Sequence, residues 1–453
     1  MDAAEWRLTR KVPIDTAAVD GLRGFAVFHI IVGHLFIYVP TKPGGLYLMG
    51  GGSMGLFYII SGFVMAVGYC QVMLERPKGC AWLTCICWPT WDDPSEGRSY
   101  AKLSSCTFWF WLTNILGIIM RFSLQNSWEV NEYENRVTWL NVLLTFLGLT
   151  SWVFPWDQMG SFPVGNELTW TISTMLFFYI CFPALAPRMQ RVPLHRLPIL
   201  VWTMYVLQAI AMSTCTVTLG FLVFHGSVDT YWFRMTPPLR LPIFIMGIAA
   251  GLIRVQRQQA AMKDADLDVS PVNRGARPEE LDEACCCCAQ EPCLGPLSLF
   301  VIWLIITTFA AVQGSLVGEM QFIINRLALE VFYPILFYYW ILALTNPARQ
   351  NDCLVRLFKS RVMRFLGDIS MCCYMIHLLL LEFTGYLVKT RHGFHPWWTI
   401  LSTLFATILL GWLFTRFYEK PIARCLRFSS KSETDQPSKA AAPSPPATEI
   451  GKP

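Results

Sequence analysis

The sequence predicts an all-α fold, a polytopic transmembrane helical bundle of about ten spans. Hydrophobic residues fill 54% of the 453 positions and charged residues only 15%, too few to coat a water-facing surface. Apolar runs of about 20 residues, the length a helix needs to cross a bilayer, recur along the whole chain. Tryptophans and tyrosines flank many of these runs, as they do at the two interfaces of a membrane. The net charge of +5 is small and spread over short loops, which suits membrane orientation and excludes nucleic acid as a partner.

The polar, basic opening MDAAEWRLTRKVPID belongs to a cytoplasmic N-terminal segment, residues 1–16. The apolar stretch behind it is too long for a signal-peptide core and has no convincing small-residue cleavage site, so it reads as a retained signal anchor. Spans are expected near 17–39, 54–74, 104–122, 168–187, 198–224, 239–254, 296–313, 323–345, 363–388 and 397–418. An eleventh apolar stretch, VTWLNVLLTFLGLTSWVF at 137–154, is short, and charge decides its fate. If it crossed, the basic loop RMQRVPLHR at 188–196 would lie opposite the basic N-terminus and opposite Arg349, Arg356, Lys359, Arg361 and Arg364. If it stays on one side, all these clusters share the cytoplasm with Arg424 and Arg427. The expectation is therefore both termini cytoplasmic, with 137–154 an interfacial or re-entrant helix, in the plasma membrane or an endomembrane.

The transmembrane domain is expected to cover 17–428, interrupted by a polar cytoplasmic loop at 255–295. The tail 429–453, rich in Ser, Pro and Ala, is expected to be disordered. No internal repeat is evident, so an inverted-repeat transporter finds no support. Of 16 cysteines, Cys285 to Cys288 with Cys293 are the densest group. Without a nearby histidine they make a poor tetrahedral site, so no metal is expected; they read as an exposed loop or as S-palmitoylation sites.

The first span raises the question of chemistry, because it carries Asp20, Arg23, His29 and His34 where charge is costly. Arg23 and His34 are eleven residues apart, which at about 100° per residue leaves them within roughly 20° of each other on one helix face, some 16 Å apart. His29 stands roughly 140° from His34, against another helix or lipid. One face thus carries a fixed cation and, deeper, a group that exchanges protons. Taken singly, Arg23 reads as a snorkelling anchor, His34 as an interhelical hydrogen bond and Asp20 as a partner for Arg23.

DGLRGFAVFHIIVGH at 20–34 and GGGSMGLFYIISGFVM at 50–65 are followed in order by WTISTMLFFYICFP at 170–183, PLRLPIFIMGIAAG at 238–251, FLGDISMCCYMIHLLL at 365–380 and FYEKPIARCLR at 417–427. This series resembles the acyltransferase-3 family of integral membrane O-acyltransferases, which opens with an Arg, ten residues and a His on its first helix and continues with a glycine-rich turn and Ser-Gly-Phe. The resemblance covers most of residues 15–427. It implies transfer of an acyl group, acetyl from acetyl-CoA as co-substrate with no bound cofactor, to a hydroxylated acceptor such as a carbohydrate, lipid or small molecule. His34 would take the acceptor's proton, and Arg23 would attract the donor's phosphates or polarise its thioester. Ser61, Lys102, Trp170, Tyr374 and His377 stand at further family positions and are expected to bind substrate. Two of them have a plainer reading, Ser61 as a packing residue beside Gly62 and His377 as an interhelical hydrogen bond.

The sequence also departs from the family pattern. Met175 stands where an acidic residue is usual after the Trp170 motif, and Ile243 where an LPEF-type motif has its Glu. The family's basic RxxR reduces to Lys102 with Arg98 upstream. A catalytically weakened relative that binds or transports a lipid or acyl compound is therefore the alternative. A proton-coupled transporter using Arg23 and His34 as a relay is a third reading, against which the resemblance argues.

Overall fold

A computed structural model of the chain describes residues 14–35, 44–73, 110–120, 139–152, 165–215, 235–268, 294–313, 328–390 and 396–421. Twelve helices are used below: α1 (Ala17–Leu35), α2 (Gly44–Met73), α3 (Phe110–Met120), α4 (Trp139–Phe146), α5 (Trp170–Gln190), α6 (Leu197–Thr214), α7 (Pro237–Asp268), α8 (Pro296–Gln313), α9 (Tyr333–Leu344), α10 (Cys353–Phe358), α11 (Arg361–Thr390) and α12 (Pro396–Phe414). Single π-helical turns precede α9 (Ala328–Phe332) and follow α12 (Thr415–Glu419). No strand occurs among the described residues. The protein is a helical membrane bundle, as composition and periodicity predict.

Among the described residues, six helical stretches are long and apolar enough to cross a membrane: Ala17–Leu35, Glu167–Gln190, Leu194–Thr214, Pro237–Met262, Arg361–Leu387 and Trp397–Glu419. Four shorter apolar helices, Gly52–Gly68, Phe110–Met120, Pro296–Phe309 and Glu330–Leu344, fall on the remaining predicted stretches. In the disputed 137–154 stretch, α4 has only 8 residues, a rise of about 12 Å against a hydrocarbon core of about 30 Å. One boundary differs from expectation. The polar loop was placed from residue 255, yet α7 continues to Asp268, because its Gln, Ala, Arg, Lys and Met residues are good helix formers and polarity ends a span without ending a helix. Residues 269–293, which include Cys285 to Cys288, lie outside the described residues, as does the tail from 429.

Side chains such as Ile199, Ile210, Leu401 and Phe405 point outward on α6 and α12, as lipid-facing positions should. Inside, two apolar clusters meet along α1. Ala18, Val19, Leu22 and Ala26 join the larger one, built from α2 and α5 to α10. Val27, Ile30, Ile31 and Leu35 join the smaller one with α11 and α12. The helix that carries Arg23 and His34 is thus the seam between two packed groups, a usual place for a site in a bundle.

A set of contacts gathers several polar segments at one end of the bundle. Lys359 Nζ lies 2.5 Å from Asp15 Oδ2, Gln256 Nε2 donates to Val192 O at 3.4 Å, Arg254 Nη2 to Leu342 O at 2.6 Å and Arg349 Nη1 to Leu294 O at 2.6 Å. The start of α1, the 188–196 loop and the basic stretch 349–364 therefore lie together, the grouping that the charge argument requires. Burial alone would raise the Asp15 carboxyl, but the Lys359 ammonium and the Ala17 N–H hold it below its ordinary value.

In the apolar interior, Arg240 of α7 and Glu330 of the first π turn form a two-pronged ion pair, with Nη2 to Oε1 at 3.0 Å. Both side chains are almost fully buried. Glu330→Leu leaves a guanidinium that cannot shed its charge, so it should destabilise the protein by about 3 kcal/mol. Arg240→Met should cost less, since a carboxyl can take up a proton. Thermal unfolding of both variants in one detergent checks the order.

α1 and α11 run parallel in close contact. A Cβ on Gly24 would stand 2.6 Å from the backbone N of Gly367, and one on Gly367 would stand 2.2 Å from Asp20 O. Backbone cannot swing aside, so Gly367→Ala forces the helices apart and should destabilise by about 1–3 kcal/mol, read as a lowered melting temperature.

Candidate functional site

The Arg23 end of the α1–α11 contact comes first. Arg23 Nη2 donates to Gly367 O at 2.9 Å, a carbonyl within reach only because both helices carry glycine at their crossing. Asp20 Oδ1 stands 3.4 Å from the same Nη2, the i,i+3 pair that the sequence suggests. The guanidinium is therefore anchored from its own helix and from α11, and is not a freely snorkelling chain. It forms part of the wall of a cavity of about 330 Å³, within the range of small-molecule sites.

That cavity lies between α1, α2, α3, α5 and α11. Ser61 and Tyr374 join Arg23 in its wall, with Phe57, Thr171, Ser173 and Met175. Ser61 Oγ stands 3.7 Å from Met175 Sδ, so the position where the family pattern has an acid does face the cavity. Ile243 is different. It is fully buried in the larger core, on a helix packed against Gly62, whose Cβ would meet Phe244 O at 2.3 Å. Gly62 of the Ser-Gly-Phe motif thus packs α2 on α7 while Ser61 faces the cavity.

Two carboxylates that the motif reading did not single out also line the wall, Asp368 next to Gly367 and Glu419 in the π turn after α12. Both stand in quoted motifs, FLGDIS and FYEK, and an acidic residue bordering an apolar run was the available signal. Lys420 Nζ lies 3.9 Å from Asp368 Oδ2, which brings the end of α12 to the Arg23 end of the bundle.

Further along the same two helices stand the histidines. His34 Nδ1 and His377 Nε2 are 3.0 Å apart, at hydrogen-bonding distance, with ring centroids 5.1 Å apart. His377 is fully buried, and its Nδ1 lies 2.8 Å from Tyr374 O and 3.2 Å from Cys373 O. Neither histidine belongs to the cavity wall. Tyr374, which lines the cavity, has its ring centroid 5.9 Å from that of His377 and 6.3 Å from that of Phe57, also in the wall. The Thr171 hydroxyl donates to Leu168 O at 2.8 Å.

A buried polar knot sets this layer. Asn166 caps the short helical turn before α5, its Nδ2 donates to Met375 O at 2.6 Å, and its N–H donates to Asn114 Oδ1 at 3.0 Å. These bonds tie α3 and the start of α5 to α11 beside Tyr374. Trp170, at that start, packs against the larger core and is not part of the cavity wall; its carbonyl accepts from Ser151 Oγ at 3.0 Å. His29 faces away from His34, as the helical angle predicts. It bonds Ser53 Oγ at 2.6 Å and packs on Phe25 and Trp303. Lys102 and Arg98 lie outside the described residues. Among the described residues, no group of three or more His, Cys, Asp or Glu could hold a metal ion.

The structure therefore brings Arg23, Ser61 and Tyr374 to one cavity and joins His34 to His377 just beyond it. No curated protein and no solved structure matches the chain. A protein-family model described as an acyltransferase domain matches residues 16–416, a span that takes in α1, the histidine pair and every wall residue of the cavity except Glu419. By that match, over most of its length, the chain belongs to the acyltransferase-3 family.

Proposed function

We propose that the protein is a membrane O-acyltransferase that moves an acetyl group from acetyl-CoA, entering at the Arg23 end, to a hydroxyl of a carbohydrate, lipid or small-molecule acceptor. The observation that carries the reading is one helix face holding an anchored guanidinium in a cavity wall and, further along beside the wall residue Tyr374, a hydrogen-bonded histidine pair. In this reading the Arg23 end faces the cytoplasm.

The charges of the wall refine the role of Arg23. One guanidinium, already paired with Asp20, shares the cavity with Asp368 and Glu419, so the wall does not favour phosphates. It suits the neutral acyl-pantetheine arm, with the nucleotide outside among the basic residues of 359–364. Arg23, some 16 Å along α1 from His34, then bonds an amide carbonyl of that arm instead of gathering phosphate. The acceptor oxygen attacks the acyl carbon while His34 takes its proton. The carbon–sulfur bond breaks as the tetrahedral species collapses, and the departing thiolate recovers the proton from His34. In this reading Tyr374 and Phe57, which line the donor cavity on the side of the histidine pair, control passage between the two and help to exclude water.

The test uses full-length protein in sealed vesicles, labelled acetyl-CoA on the Arg23 side and a pool of hydroxylated acceptors. Label in an acceptor supports the reading. Saturable binding of acetyl-CoA or lipid without label in any acceptor favours the second reading, a binding or transport relative, for which Met175 in the cavity wall is the motivating observation.

A further inference from the structure

We infer that His377 is a positioning residue, not a substrate contact: it holds His34 in the tautomer whose free lone pair is on Nε2. The inference rests on the acyltransferase reading for its catalytic meaning and on hydrogen-bond geometry for its substance. His377 Nδ1 faces two main-chain oxygens, Tyr374 O at 2.8 Å and Cys373 O at 3.2 Å. Carbonyl oxygens only accept, so the ring proton of a neutral His377 belongs on Nδ1. Full burial between helices in an apolar setting keeps the ring neutral. Its Nε2 is then a lone pair, and it points at His34 Nδ1, 3.0 Å away.

Two lone pairs cannot face each other at that distance, so His34 Nδ1–H donates to His377 Nε2. His34 is left with its lone pair on Nε2, and no described residue bonds that atom. A histidine side chain on its own prefers the opposite tautomer, with the proton on Nε2 and the lone pair on Nδ1. The i−3 and i−4 carbonyls of α11 therefore dictate, through His377, which nitrogen of α1 can act as base. When His34 Nε2 takes the acceptor proton, its Nδ1–H still has an acceptor, so the imidazolium forms with the ring held in place. The logic is that of an orienting group behind a catalytic histidine, with a second imidazole in place of a carboxylate.

The test is solid-state ¹⁵N NMR of full-length protein labelled with ¹⁵N-histidine in phosphatidylcholine vesicles. The His34 signals are identified as those missing in His34→Ala. The expected result is a neutral His34 ring with its proton on Nδ1. In His377→Leu that ring should shift to the Nε2–H form or a mixture. In His377→Gln, whose amide oxygen supplies an acceptor at the same place, it should stay. A His34 that carries its proton on Nε2 in the native protein, or that keeps Nδ1–H in His377→Leu, overturns the inference. If His377→Leu does not fold, the native spectrum and His377→Gln still decide.

In preparations that transfer label, His377→Leu should lower kcat about 100-fold with donor KM unchanged, and His377→Gln should recover most of the loss. Equal loss in both variants, or a loss confined to KM, argues for a structural or substrate-binding role and overturns the positioning role. The expected NMR pattern with no transfer under any condition refutes the acyltransferase reading and leaves the histidine assignment standing.

Discussion

His34→Ala should lower acyl transfer by at least about 100-fold, the lower bound of what a positioned general base contributes, while His29→Ala keeps most of the native rate. The two histidines sit five residues apart on one helix and differ in what they touch. His34 meets another histidine beyond a cavity that holds Arg23. His29 is tied to Ser53, stacked on Phe25 and edge-on to Trp303, deep in the packing between α1, α2 and α8. Its removal takes away a buried hydrogen bond and ring contacts, so His29→Ala should lower the melting temperature with little change in rate per folded molecule. His34→Ala also removes a hydrogen bond to the buried His377, so it should lower both the melting temperature and the rate per folded molecule. Initial rates in vesicles and melting curves, measured on the same preparations, separate the two effects. Equal losses of rate for both variants would show that the face of the helix has no catalytic meaning.

Arg23 supplies the second large effect. Arg23→Met should raise the donor KM or lower kcat so that kcat/KM falls about 100-fold, and Arg23→Lys should fall about tenfold, the range expected when a charge-assisted hydrogen bond is lost or misplaced. Lysine keeps the charge but not the planar fork, one nitrogen of which bonds Gly367 O in a side chain that lines the cavity. A guanidinium that only anchors the helix at the interface would be replaced by lysine without loss. The Arg23→Lys rate is therefore the discriminating number, and melting curves show whether the α1–α11 contact survives the change.

Much of the fold could be read without coordinates. The ten apolar stretches and the shortness of 137–154 follow from length and composition, which act locally. The shared face of Arg23 and His34, and the opposite placement of His29, follow from the period of a single helix. So does the Asp20–Arg23 pair. The end of α7 was harder, because hydropathy reports where the bilayer stops and says little of where the hydrogen-bond ladder stops.

The site was legible in part. Arg23, Ser61 and Tyr374 reach one cavity, Trp170 does not, and His377 pairs with His34. Asp368 and Glu419 were present in quoted motifs without a role, because a motif tells which residues recur and not which way they face.

By itself, then, the sequence determined that this is a helical membrane protein of the acyltransferase-3 family, with a cation and a histidine on one face of its first span. Those are properties of apolar length, helical period and local motif. Tertiary structure alone decided that His34 meets a histidine 343 residues away, that Tyr374 touches both the cavity and that pair, and that Arg240 finds Glu330. The reason is that how a helix is turned against its distant neighbours depends on close packing of small residues, such as Gly24 against Gly367, and no local pattern in the chain encodes that rotation.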